Sequence, residues 1–357
     1  MLKQISLLCV LGLMPLTGHA GLIFNFLDST GNTTADAAFA QAATRWSSIF
    51  SDNVILNIQI GYGTLDPGVL ASTSNNEDTY AYSAVRSQLV ADKTSAADAI
   101  AVANLPSGST FNMLINRTSN DPNGSGSATP YLDNDGDANN QKIYMSDSNA
   151  KALGLIAANG SEIDGSITFS SAYTYDFDPG DGISAGDYDF IGLATHELGH
   201  LLGFVSGVDI LDGNSPPDGG PFRDDQFPYV SPLDLFRYSA DSYAAGTDVI
   251  DWTADTRAKY FSIDGGADNI ADFATGINFG EGRQASHWAD ALGLGVMDPT
   301  AAPGELLSIS ANDIEALDVI GWNVATPEPS TWLLLGLGFA GILAHRRRRL
   351  REIGDQE

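Results

Sequence analysis

The chain has 357 residues, 43% of them hydrophobic, and a formal net charge of -28. That length buries a substantial core and fits either one large domain or two. So acidic a surface repels nucleic acid and anionic lipid, which excludes nucleic acid as a partner, and it favours solubility and cation binding.

In chain order, the first element is a secretory signal over residues 1–20, with Lys3, an apolar run from Ile5 to Leu16, and Gly18 and Ala20 at the spacing a signal peptidase reads. Cys9, the only cysteine, lies inside that run, so an exported body from Gly21 onward is expected to fold without disulfides. Of the 17 basic and 45 acidic residues, 6 and 4 lie in the two ends, leaving about -30 on residues 21–326. Thr34 to Phe50 has the composition and spacing of a helix, and Val54 to Tyr62 alternates like a half-buried strand. A helix is expected from Ser95 to Ala103, a short strand from Lys142 to Met145, and a longer strand from Ser166 to Tyr175 that ends in an acidic turn. Gly, Pro, Asn and Asp make Ser119 to Asn140 and Leu211 to Pro232 loop-like.

After residue 325 the chain reads Thr326-Pro327-Glu328-Pro329-Ser330, then 14 largely apolar residues to Ala344, then His345 and four arginines. Fourteen residues fall short of the roughly 20 needed to span a bilayer. The order of motif, apolar segment and arginine cluster resembles the PEP-CTERM sorting tail of Gram-negative bacteria. That resemblance implies an exosortase-type processing enzyme as partner, membrane contact only through the tail before processing, and an extracellular or envelope destination.

The sharpest motif is His196-Glu197-Leu198-Gly199-His200. Residues four apart on a helix point the same way, so two imidazoles can grip one zinc ion, while Glu197 reaches a water as general base. Ile191, Ala194, Leu198, Leu201 and Val205 repeat at helical spacing and form the packing face. Without the two ends, the chain keeps only His196, His200 and His287 of its five histidines. A catalytic zinc needs a third protein ligand. His287 is the remaining histidine; Asp209, Asp212, Asp224, Asp234 and Glu281 are carboxylate alternatives. Ser206, at the spacing of the shortest metzincin pattern, is a poor ligand.

His196 to Phe204 (HELGHLLGF), then Ala285-Ser286-His287-Trp288, Gly295-Val296-Met297-Asp298-Pro299 and the late Asp313 to Asn323 resemble the active-site helix, distal ligand, Met-turn and following helix of leishmanolysin-like metalloproteases. The resemblance covers roughly residues 189–323. It implies one catalytic zinc on His196, His200 and His287, Glu197 as base, Gly203 turning the chain after the helix, and Met297 supporting the metal from below. It also implies an α+β, zincin-like (metzincin-like) fold: a mixed β-sheet, an active-site helix and a mainly irregular and helical C-terminal subdomain. The expected division is 21–188 and 189–325 for the two parts of the metalloprotease domain, with 1–20 and 326–357 as signal and tail. Leishmanolysins use a pro-segment cysteine for latency; the cysteine-free body excludes that device.

Asp133, Asp135 and Asp137 surround Gly136, and Asp176, Asp178 and Asp181 surround Gly180, in the alternating pattern of calcium loops. Neither has the bidentate glutamate of a full EF-hand, and solvated acidic turns are the competing reading. The expected activity is hydrolysis of a protein or peptide substrate by a zinc-activated water. A non-catalytic surface or matrix adhesion protein on a zincin-like body and a zinc hydrolase of a non-peptide amide are the alternatives. The Ser166 to Tyr175 strand is expected to edge the substrate cleft, with Tyr229, Tyr238 and Arg237 as candidates for oxyanion stabilisation.

Overall fold

The computed structural model describes residues 21–216, 220 and 222–326; the expected signal peptide and nearly all of the sorting tail lie outside them. The polypeptide has an α+β fold. Its main sheet has the order β1 (Ile23–Phe26), β2 (Ile55–Gly63), β8 (Gly165–Ser170), β3 (Ala71–Asn75). The first three run parallel and β3 is antiparallel to β8. Helix α1 (Thr33–Ser47), capped by Asn32, packs its Ala, Phe39 and Trp46 face between this sheet and helix α5 (Phe190–Leu201). Phe39 meets Phe26, Phe169 and Phe190 at ring-centroid distances of 5.3–5.6 Å, so the three layers share one aromatic seam.

Between β3 and β8 the chain builds β4 (Glu77–Ala81), helices α2 (Tyr82–Asp92) and α3 (Ala96–Asn104), β5 (Asn112–Ile115), β6 (Tyr131–Asp133), β7 (Lys142–Ser146) and α4 (Asp147–Ala152). The elements expected at β2, α3 and β7 form within one residue of their predicted ends, and α1 ends at Ser47, three residues before the expected Phe50. Ser95 caps α3 in a box with Asp98. The loop expected from Ser119 to Asn140 contains the short β6, and the one expected from Leu211 opens with the end of a helix, described below.

The strand expected from Ser166 to Tyr175 is not one strand. It stops at Ser170, and a turn separates it from β9 (Tyr175–Asp176), which pairs in parallel with β10 (Tyr188–Asp189). Tyr175 folds back so that its hydroxyl donates toward the carbonyls of Leu70 and Ser170. Nor does this segment edge a cleft, because β8 is paired on both sides and the margin beside it is β3.

After α5 come α6 (Val208–Asn214), β11 (Arg237–Tyr238), α7 (Ala240–Ala245), β12 (Val249–Asp251), β13 (Lys259–Phe261), β14 (Ala271–Phe273) and α8 (Ala311–Asp318), joined by long irregular segments. β12 pairs with β5 in the order β12-β5-β6, and an isolated bridge joins Phe50 to Val324, so the two halves share a single core. Among the described residues no helix is long and apolar enough to cross a membrane.

Candidate metal centre

Helix α5 starts at Asp189, whose carboxylate accepts the Gly192 and Leu307 N–H groups. All its residues but His200 are buried, so its polar face looks into a cleft instead of open water. Two indoles hold it: Trp46 Nε1–H donates to Thr195 O at 2.8 Å, and Trp322 Nε1–H donates to Leu202 O, just past its end, at 2.7 Å. The helix closes in a Schellman motif. Gly203, at φ +110°, donates to His200 O, and Phe204 donates to Gly199 O. The expected turn at Gly203 is therefore also the helix cap.

This ending aims a ligand, because the carbonyl of Phe204 accepts from His200 Nδ1 at 2.7 Å. Val296 O does the same for His196 at 2.7 Å, and Gln284 O lies 3.3 Å from His287 Nδ1. A carbonyl only accepts, so each Nδ1 carries the proton and each Nε2 presents a lone pair. The three Nε2 atoms stand 3.0, 3.2 and 3.3 Å apart. Three lone pairs facing one another at that range repel unless a cation lies among them. Nitrogens bound tetrahedrally to zinc at about 2.0–2.1 Å are about 3.3 Å apart, so the donor set fits that ion. Burial, together with His196, pushes His200 down to about 3, and His287 falls well below the usual imidazole range for the same reason, with both neighbouring rings adding to it. His200 and His287 are thus held in the neutral form that a metal requires.

Glu197 is 4% exposed and lines the same cleft. Its Oε2 accepts from the hydroxyl of Thr73 on β3 at 2.6 Å. Burial raises its pKa, while His196 and the Thr73 hydrogen bond oppose that rise. The residues Leu70 to Asn75 form one wall of a cleft of about 690 Å³, and Ile277, Gln284, Ser286 and Pro299 belong to the other.

His287 is brought to the site by contacts that reach far along the chain. Asp209 on α6 accepts from Ala285 N, Ser286 N and Ser286 Oγ, and Ser286 Oγ in turn accepts from Ser206 N. Trp288 is fully buried against Phe204, Phe261 and Phe273, as packing and not as a pocket wall. Met297 lies beneath the helix, so close to Gly199 that a Cβ there would sit 2.4 Å from its sulfur. Asp313 secures this turn: it accepts from Trp288 Nε1, Val296 N and Met297 N.

The carboxylates considered as alternative third ligands are engaged elsewhere: Asp209 as above, Asp212 by Asn278 and Phe279 N–H, Asp234 by Ser206, Gly207 and Ser231, and Glu281 by Thr275, while Asp224 groups with Asp133 and Asp135 away from the histidines. Of the oxyanion candidates only Tyr229 lines the cleft. Arg237 is buried with its guanidinium on the carbonyls of Ala274 and Ala285, and Tyr238 is 2% exposed. Sequence reasoning missed Thr73, and it named Asp209 only as a possible zinc ligand and Asp313 only as the start of the late helix segment. Of these only Asp313 carried a signal for its role, as the N3 residue of a Ser310-x-x-Asp313 capping box.

The acidic loops differ from each other. Asp133 and Asp135 bring carboxylate oxygens together with Asp224, while Asp137 stands outside that group. Asp176, Asp178 and Asp181 do not converge; Asp176 instead accepts from Ser184 and Asp178 N–H, and Asp178 from Gly180 N–H.

The family model of the PEP-CTERM protein-sorting motif matches residues 325–349. No curated protein and no solved structure matches the chain. The tail is therefore a sorting signal that marks the protein for export and cell-envelope sorting in a Gram-negative bacterium, with an exosortase-type enzyme as its processing partner.

Proposed function

We propose that the exported body is a zinc-dependent metalloendopeptidase, as its likeness to leishmanolysin-like enzymes implies. One observation carries this reading: three neutral imidazoles converge through their Nε2 atoms in a cleft that also holds a buried carboxylate, Glu197. Zinc bound there supplies Lewis acidity, polarising the scissile carbonyl and bringing the pKa of a water to about 7.

Glu197 takes the proton of that water and later delivers it to the leaving amine. Thr73 fixes the rotamer of Glu197, so the base stays aimed at the water between turnovers. β3 offers the free edge of the sheet as one wall of the cleft, and an extended peptide can pair its backbone with the outward N–H and C=O groups of Ala71–Asn75. A hydrogen-bonded strand suits a polypeptide better than a small amide, which favours the peptidase over the non-peptide hydrolase.

The test is cleavage of unfolded casein by the full-length zinc-loaded chain beside Glu197→Gln. The reading expects chelator-sensitive cleavage that falls by about 10³-fold or more in the variant while zinc stays bound. A folded, zinc-loaded wild type without cleavage of casein or any extended peptide would sink it and leave the adhesion role.

A further inference from the structure

The acidic cluster at the end of β6 does not line the cleft and takes no part in the chemistry above. One carboxylate oxygen from each of Asp133, Asp135 and Asp224 lies within 4.8 Å of the others. Asp133 is 3% and Asp224 4% exposed, and among the described residues no Lys or Arg nitrogen lies within 4.0 Å of the three carboxylates. Like charges this close in a desolvated place repel strongly unless a cation compensates them. Burial and the charges of Asp224, Asp135 and Asp137 accordingly push Asp133 up to about 7.

A second observation comes from a neutral group. Asn139 is fully buried, and its carboxamide faces the cluster, with Nδ2 donating to Asp133 Oδ2 at 2.7 Å. Its Oδ1 is buried and has no hydrogen-bond partner. An acceptor shut away from water and left unpaired is costly, and it beckons a donor or a cation. A half-turn of the amide would set that oxygen beside Asp133, an arrangement that only a cation between them makes favourable. Asp224 is held ready by Asn120 Nδ2, which donates to Oδ1 at 2.6 Å, and by the Tyr131 hydroxyl, 3.0 Å from Oδ2.

We infer that Asp133, Asp135, Asp224 and the side-chain oxygen of Asn139 form a structural calcium site. All four donors are hard oxygens, with neither imidazole nor thiol among them. Such a set suits the 6–8 ligands and loose geometry of calcium better than the strict octahedron of magnesium or the tetrahedron of zinc. The ion would tie the loop after β6 to a segment 91 residues further on, a cross-link in a body that has no cysteine. The site is independent of the proposed peptidase chemistry.

The test uses the full-length chain with zinc kept saturating, freed of calcium and then titrated with calcium, magnesium or terbium. Calcium at 1 mM, about 100 times a dissociation constant near 10 μM, is expected to raise Tm by about 4 °C. Magnesium should do much less, and terbium should bind once per chain and be displaced by calcium. Asp135→Asn at the exposed ligand and Asn139→Ala should each weaken calcium binding by 10-fold or more, while Asp178→Asn in the other acidic loop should not. A wild-type Tm indifferent to calcium, or an equal response to magnesium, would overturn the assignment. So would an undiminished calcium response in both Asp135→Asn and Asn139→Ala.

Discussion

In the histidine cluster three neutral rings meet inside a cleft, each steered by a main-chain carbonyl; in the acidic cluster charged carboxylates from two distant segments meet beside one buried amide. The first is poor in charge, so before a metal arrives its rings repel one another only through their lone pairs. The second repels itself until a cation enters, so the order of its loop depends on the ion. A protein that needs a pre-shaped reaction site and a removable cross-link has reason to build them in these two ways.

The strongest attempt to separate the two sites is Asp313→Ala. It frees the Trp288 indole and the Val296 and Met297 amides, and with them the turn whose carbonyl aims His196. Unpairing these buried donors is expected to cost roughly 3 kcal/mol of stability, and disturbing the turn that aims a ligand about 10–100-fold in zinc affinity. Calcium binding at Asp133 should not change. Denaturant melts and competitive zinc titration measure both effects; unaltered zinc affinity would show that the turn does not steer the ligand.

A smaller effect is expected from Thr73→Val. The Thr73 hydroxyl stabilises the charged form of Glu197, so its loss raises the pKa of the base. The proposed base would work deprotonated, so the acid limb of the rate profile should move to higher pH. Activity should fall about 10-fold near pH 6 and less near pH 8, with zinc content and KM nearly unchanged. An unshifted acid limb would remove Thr73 from its positioning role.

The legibility of the two sites differed for the same physical reason that their construction does. His196, Glu197 and His200 share one helical turn, so local spacing reveals them; His287 is left by the histidine count, and its role and that of Met297 come with the leishmanolysin-like resemblance. Glu197 needs Thr73, 124 residues away, and β3 is a run of Ala, Ser, Thr and Asn that gives almost no hydrophobic signal. The apolar alternation of β8 attracted the cleft-edge assignment instead, and its stop at Ser170 is marked by neither Gly nor Pro. Asp133 and Asp135 were visible as an alternating acidic loop. Asp224 and Asn139 became partners only through folding, because a contact across 91 residues leaves no periodicity to read. The α+β class and the elements α1, β2, α3 and β7 were legible from local pattern, whereas the irregular chain after α6 is held by side chains on backbone groups and has no such pattern.

The most direct measurement is the zinc content of the purified full-length chain beside His287→Ala, by elemental analysis after exhaustive dialysis. The account predicts about one zinc per wild-type chain and little or none in the variant, with both proteins still folded. A His287→Ala chain that keeps its full complement of zinc, or a folded wild type that holds none at saturating zinc, would contradict the three-histidine centre.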